Sequence, residues 1–118
     1  MTLKLPRIAA GLALSLSLLA ACGAPGAFDI CNARCDALRR CNYKNDAETT
    51  NCHTDCNNTK GTASDLDAQL ARECKNAGDI RGRQVSCYTG GSCLSTMSAF
   101  KAAAGDCLAT AQANQCIK

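Results

Sequence analysis

The sequence predicts an all-α fold: a small disulfide-stapled helical domain of four or five short helices. Cysteine is abundant, with 11 residues in a chain of 118. Many cysteines and apolar residues lie three or four positions apart, which is the spacing of one face of a helix. Strand signals are weak, because Val85 is the only valine and no stretch alternates apolar with polar residues.

Residues 1–21 have the pattern of a signal peptide. Lys4 and Arg7 precede an apolar stretch over residues 8–19, which suits the central region of a signal peptide and is too short to cross a bilayer. The stretch ends in Leu-Ala-Ala-Cys at Cys22, which resembles the lipobox of bacterial lipoproteins. The resemblance implies a diacylglycerol on the Cys22 thiol, cleavage before that residue and acylation of the new amine.

The lipobox also predicts where the protein resides and how it is divided. Gly23 is not the aspartate that resembles an inner-membrane retention signal, so the resemblance implies lipid anchoring at a bacterial outer membrane. Residues 22–27 are then a lipidated tether, and residues 28–118 a cysteine-rich helical domain. Since the five residues after Cys22 reach at most about 17 Å, we expect the domain to lie close to the bilayer, its first predicted partner.

The domain is poor in residues that build a core. Large apolar side chains after Cys22 make up less than about a fifth of the residues, the fraction below which chains tend to be disordered. They are Phe28, Ile30, Leu38, Leu66, Leu70, Ile80, Val85, Leu94, Met97, Phe100, Leu108 and Ile117. Disulfide bonds, at about 2–4 kcal/mol each, could replace the missing packing.

The cysteines that remain after Cys22 are even in number, as a disulfide framework requires. Ten cysteines would form five bonds. They are Cys31, Cys35, Cys41, Cys52, Cys56, Cys74, Cys87, Cys93, Cys107 and Cys116.

The first two helices are predicted over residues 28–43 and 47–59. Cys31, Cys35 and Leu38 mark the inward face of the first. The second is polar apart from its cysteines, and Asn45 with Glu48 predicts a capping box at its start. With no apolar stripe to dock it, this helix is expected to depend on covalent bonds.

The second half of the domain is predicted to hold two or three further helices. One spans residues 64–77, after a break at Gly61 and Thr62, and stops at Gly78. Residues 78–91 are expected to form a loop. The next helix follows a cap at Ser92, and Gly105-Asp106 either kinks it or divides it in two.

Two Cys-x₃-Cys units, at Cys31 and Cys35 and at Cys52 and Cys56, resemble the twin Cys-x₃-Cys helical hairpin of small chaperones of the mitochondrial intermembrane space. The resemblance covers residues 31–56 and implies two antiparallel helices. In such a hairpin, inner cysteines face inner and outer face outer, which gives Cys35–Cys52 and Cys31–Cys56. The chain as a whole resembles small cysteine-rich lipoproteins of Gram-negative bacteria.

Cys41 is then expected to pair with a cysteine of the second half, most plausibly Cys74. The partners of the remaining four cysteines, Cys87, Cys93, Cys107 and Cys116, stay open at this point.

The leading functional expectation is a non-enzymatic structural or protein-binding module of the envelope, with no cofactor and an unknown envelope protein as a possible partner. The alternative is thiolate binding or storage of copper or zinc, because the chain also resembles cysteine-rich four-helix bundles that store Cu(I), and His53 adds a nitrogen ligand. An oxidising compartment favours disulfides instead, and no Cys-x₂-Cys pair occurs. No metal ligand is therefore predicted.

An enzyme is not predicted. His53 and Asp55 lie two positions apart on a helix and point in different directions, so His53 is expected to be a partly exposed helix residue. Neither a Gly-x-Ser-x-Gly elbow nor a glycine-rich phosphate loop occurs. A small secreted-type enzyme stays a third alternative, because disulfides could hold a catalytic loop at residues 78–91.

The basic spots at Arg39-Arg40 and Arg81-Gly82-Arg83 are expected to be solvated surface charge. No basic stripe with aromatic residues is present, which excludes nucleic acid as a partner.

Overall fold

The computed structural model describes residues 25–118, and within that range the chain forms five α-helices and no strand. They are α1 (Ala27–Arg40), α2 (Asp46–Asn58), α3 (Lys60–Glu73), α4 (Ala77–Thr89) and α5 (Met97–Gln115). The predicted all-α class is confirmed. The predicted signal peptide and Cys22 lie outside the described residues.

Helix α1 starts one residue earlier than predicted and ends three residues earlier. Gly26 is its N-cap residue and donates its backbone N–H to Asp29 Oδ2 at 2.8 Å. Gly26 and Ala27, which the sequence analysis assigned to a tether, thus form the N-cap and first residue of α1. At the other end Asn42 has φ 62°, a left-handed conformation that stops a helix and that asparagine tolerates.

Helix α2 begins one residue earlier than predicted, and the predicted capping box is present. Asn45 Oδ1 accepts from the Glu48 N–H at 2.8 Å, and Glu48 Oε1 accepts from the Asn45 N–H at 3.1 Å. Along the whole helix only Cys56 is buried. The expectation that α2 has no apolar docking face is correct.

Helix α3 does not follow the predicted bounds of residues 64–77. It passes through Gly61, which faces open space, so the missing side chain costs no packing. It ends at Glu73 because Cys74 adopts extended backbone angles, φ −130° and ψ 126°. Gly78 does not end it and lies instead in the first turn of α4.

The predicted loop over residues 78–91 is wrong, because most of that segment is α4. Its buried face consists of Ile80, Gln84, Cys87 and Tyr88, at helical spacing. The polar Gln84 hides this stripe in the sequence. Its side chain is only 4% exposed, yet it is satisfied: Nε2 donates to the Leu108 carbonyl at 3.1 Å and Oε1 accepts from Arg81 at 2.8 Å.

Helix α5 starts later than predicted and is continuous. Thr96 rather than Ser92 caps it, accepting from the Ala99 N–H at 3.1 Å. It continues through Gly105 and Asp106, and Gly105 faces open space. The alternative of two separate helices is therefore excluded, and Cys93 precedes the helix.

Two small clusters form the core of the described residues. The larger joins α1, α4 and α5 and consists of Ala33, Ala37, Leu38, Tyr88, Phe100 and Ala104. The smaller lies where α3 ends and α4 begins, and consists of Leu70, Cys74 and Ile80. The alanines of α1 face away from its cysteines, so this helix has a disulfide face toward α2 and a small-residue face toward α4 and α5.

Candidate functional site

The Cys-x₃-Cys units lie on α1 and α2, which pair as an antiparallel hairpin. Cys31 bonds Cys56 with the two Cα atoms 5.8 Å apart, and Cys35 bonds Cys52 at 5.7 Å. This is the pairing expected from the sequence. The two bonds touch each other, since the non-bonded Sγ atoms of Cys35 and Cys56 are 3.7 Å apart.

The expected bond between Cys41 and Cys74 is wrong. Cys41 bonds Cys93 with Cα atoms 5.3 Å apart, and Cys74 bonds Cys116 at 5.1 Å. Two contacts explain the difference. The Tyr43 hydroxyl accepts from the Leu94 N–H at 2.7 Å, which brings the end of α1 to the segment before α5. The Lys75 N–H donates to the Ile117 carbonyl at 2.6 Å, which places Cys74 beside the end of α5.

The fifth disulfide, Cys87–Cys107, joins α4 to α5 with Cα atoms 5.8 Å apart. Every cysteine sulfur in residues 25–118 is thus part of a disulfide. Within the same range, no three His, Cys, Asp or Glu side chains are grouped so that they could hold a metal ion. In this oxidised state, the described cysteines offer no thiolate to copper or zinc.

His53 lies between two polar side chains of α1. Its Nδ1 is 2.6 Å from Asn32 Oδ1, and its Nε2 is 2.8 Å from Asp36 Oδ1. The Asn32 amide nitrogen donates to the Phe28 carbonyl at 3.2 Å, so the Asn32 oxygen faces the His53 ring. His53 is partly exposed, as expected, at 33% of its side chain, and it links α2 to α1. Sequence spacing offered Asp55 as its neighbour, whereas the packed hairpin supplies Asp36.

Arg40 lies exposed at the surface, as expected from the sequence, but it also binds the protein. Its guanidinium donates to the carbonyls of Tyr88 and Thr89 at 3.0 Å each and of Gly91 at 2.9 Å. These are carbonyls at the end of α4, which have no partner within the helix. Arg40 therefore caps α4 from the end of α1, and the ends of the two helices lie close together.

Asp67 of α3 binds the start of α1 through its carboxylate. Its Oδ1 accepts from the Ala27 N–H at 2.9 Å and from Arg81 Nε at 2.9 Å, and the Arg81 side chain is only 13% exposed. A Cβ at Gly26 would overlap the Asp67 carboxylate, so glycine is required for this approach. Asp67 was missed by the sequence analysis, because an acidic residue on a polar helix gives no signal. The expectation that Arg81 is solvated surface charge is wrong, because Asp67 pairs with it in a largely buried position.

The outer side of α4 and α5 carries an open groove of about 540 Å³. It is lined by Arg83, Ser86, Asp106, Cys107, Thr110, Ala111 and Gln115. The Cys107 sulfur is already bonded to Cys87, so this groove contains no free thiol.

No helix within residues 25–118 combines the length and the apolar character that crossing a bilayer requires. No protein-family model, curated protein sequence or solved structure matches the chain.

Proposed function

We propose that the protein is a lipoprotein of the bacterial envelope, anchored at the outer membrane through Cys22, whose domain is a non-enzymatic structural or protein-binding module. One observation carries the proposal. The lipobox cysteine stands only four residues before Gly26, the N-cap residue of a helical domain with five disulfides among its described residues.

The anchor chemistry explains how such a chain stays at a membrane. One acyl chain holds a protein only marginally, whereas two or more hold it stably, at about 0.8 kcal/mol for each buried CH₂ group. A diacylglycerol on the thiol with an acyl group, such as palmitate, on the amine exceeds that requirement.

The disulfides support the same compartment. Such bonds persist in oxidising spaces outside the cytosol and are typical of small exported domains whose cores are too small to hold them folded. The core here consists of two small clusters, one of six buried residues and one of three. The module therefore needs its covalent frame to remain folded, and that frame uses the cysteines that a metal store would need as thiolates.

Labelling with a fatty acid in a bacterial host tests the anchor. The wild-type protein should incorporate the label, and Cys22→Ser should remain an unlabelled, uncleaved precursor. Cys116→Ser is the matched control, because it removes a cysteine of the domain and should keep the label. Label in Cys22→Ser, or none in the wild type, would overturn the proposal.

The disulfide frame is tested by counting thiols on the purified mature domain. Alkylation without reduction should add no group, and alkylation after reduction should add ten, from the cysteines of the described residues. Several reactive thiols together with stoichiometric copper in the native protein would favour the metal-storage alternative instead.

A further inference from the structure

We infer that the domain stands on the bilayer with a defined orientation. The end that holds Cys74 and Cys116 faces the lipid headgroups, and the opposite end, which holds Cys41 and Cys93, points away. These two ends are called the Cys74–Cys116 end and the Cys41–Cys93 end. The inference rests on the proposed lipid at Cys22 and adds the surface through which the domain meets the membrane.

The first step is the short reach of the anchor. Four residue steps separate Cys22 from Gly26, and an extended chain covers at most about 14 Å in four steps. Gly26 and Ala27 cannot extend this reach, because the Asp67 carboxylate holds the Ala27 N–H at 2.9 Å. The start of α1 therefore lies within about 14 Å of the lipidated residue.

The second step is the direction of the helices. Arg40 at the end of α1 binds the carbonyls of Tyr88 and Thr89 at the end of α4, so these two helix ends lie within reach of an arginine side chain. Pro25 lies beside Gly82, with its Cγ 3.7 Å from where a Gly82 Cβ would be. The two helices therefore run parallel, and the part of α4 before Gly82 continues beyond the start of α1 by about 7 Å. The Cys74–Cys116 end lies on the side from which the anchor leaves.

The third step is what this end presents. The backbone of Ile117 is fixed, since its N–H donates to Asn76 Oδ1 at 2.8 Å and its carbonyl accepts from the Lys75 N–H at 2.6 Å. Ile117 nevertheless is 57% exposed. Lys118 follows it in the chain, and Lys75 lies across this backbone contact. An apolar side chain with flanking lysines suits the headgroup boundary, where the apolar group enters and the ammonium groups reach phosphates.

The charge at this end does not by itself explain binding. Arg72, Lys75 and Lys118 are basic, but Glu73 and Asp79 are acidic, so the net charge is small. The lipid on Cys22 supplies the affinity, and Ile117 is the part of the surface that fits the bilayer interface.

The Cys41–Cys93 end also has an exposed apolar side chain, that of Leu94. Leu94 is 41% exposed, and its backbone N–H donates to the Tyr43 hydroxyl just past the end of α1. The 14 residues of α1 place that end about 20 Å further from the anchor than Gly26. A partner protein would therefore meet the Cys41–Cys93 end first.

The test uses tryptophan as a depth probe, because the chain contains none. Ile117→Trp and Leu94→Trp each add one probe at an exposed apolar position. The lipidated variants are placed in phosphatidylcholine vesicles with bromine on the acyl chains near the headgroups. Quenching of Ile117→Trp should exceed that of Leu94→Trp several-fold. Equal quenching, stronger quenching of Leu94→Trp, or none in either while the protein is vesicle-bound would overturn the inference.

Vesicle flotation separates failure of this inference from failure of the proposed function. If the lipidated wild type does not float with vesicles, the anchor itself is wrong and the orientation falls with it. If it floats but the two probes are quenched alike, only the orientation is wrong. With Cys22→Ser in both probe variants, neither tryptophan should be quenched, which attributes the signal to the anchored state.

Discussion

Helices α2 and α5 are held in the same domain by different means. Among the residues of α2 only Cys56 is buried, and two disulfides tie the helix to α1. Helix α5 buries Phe100, Ala104 and Ala111, and Cys107 adds one disulfide to α4. Helix α2 is therefore held covalently, and α5 is held largely by packing.

The difference shows how a chain with few large apolar residues can fold. A disulfide mainly restricts the unfolded chain, so it stabilises a helix whatever the polarity of its other residues. Packing stabilises in proportion to the apolar surface that leaves water. Helix α2 is thereby free to be polar, while α5 must supply the aromatic ring that fills the larger cluster.

The largest expected effect comes from removing both bonds of the hairpin, with serine at Cys31, Cys35, Cys52 and Cys56. Each bond should contribute about 3 kcal/mol, and α2 has no packing to replace them. Hydrogen exchange should show unprotected α2 amides and protected amides in α4 and α5.

The matched control is serine at Cys74 and Cys116, which also removes a covalent link but leaves the hairpin. Protection of α2 should survive in it. If α2 stayed protected without its own two bonds, the view that it is docked covalently would be wrong.

Phe100→Ala tests the packed side of the comparison. The ring is buried and lies with its centroid 5.5 Å from that of Tyr43 and 6.3 Å from that of Tyr88. Its loss should lower the free energy of unfolding by about 3–5 kcal/mol, measured by denaturant titration. Leu66→Ala removes an exposed apolar side chain and should change it by no more than about 0.5 kcal/mol. Comparable losses in the two variants would mean that Phe100 is not the centre of the core.

The sequence predicted the covalent region better than the packed one. Cysteines four apart identify a helix face, and the resemblance to the twin Cys-x₃-Cys hairpin implies the partner helix and the two bonds. The Asn45–Glu48 capping box was predictable from local spacing. The buried face of α4 was not predictable, because Gln84 occupies a core position although its polarity is typical of the surface. Its two hydrogen bonds, to Leu108 and Arg81, exist only after folding.

The contacts that fix the start of α1 were also beyond the reach of the sequence. Asp67 lies 40 positions from Ala27 in the chain, and no local spacing relates them. Likewise, the expected Cys41–Cys74 bond failed because the Tyr43–Leu94 contact depends on the path of the segment before α5. Long-range polar contacts of this kind depend on how the helices are arranged.

A smaller effect is expected from the cap of α2. Asn45→Ala removes the acceptor of the Glu48 N–H and should cost about 1 kcal/mol in the free energy of unfolding. Asn45→Asp, which keeps an acceptor oxygen, is the control and should restore most of the loss. Because disulfides already tie α2 to α1, hydrogen exchange should localise the change to its first turn. A loss spread over the whole helix would show that the bonds alone do not hold α2 in place.

The smallest effect concerns the charge of Glu48. Its hydrogen bond from the Asn45 N–H, followed by its contact with Lys44 at 3.3 Å, lowers the pKa of this carboxyl from its ordinary value of 4.5. A lowered folded pKa means that the ionised form favours the folded state, so the stabilisation is present above pH 4.5 and is lost as the pH falls through the folded pKa.

Glu48→Gln keeps an acceptor but removes the titration. Thermal midpoints should therefore be lower for Glu48→Gln than for the wild type near neutral pH, and the two should converge in acid. When Lys44→Gln is added to both proteins, the difference in thermal midpoint between wild type and Glu48→Gln near neutral pH should become smaller but not vanish. The reason is that the Asn45 N–H is the larger cause of the lowered pKa. A difference between Glu48→Gln and wild type that stays constant from neutral to acid pH would contradict the role of the charge and leave the hydrogen bond alone as the contribution of Glu48.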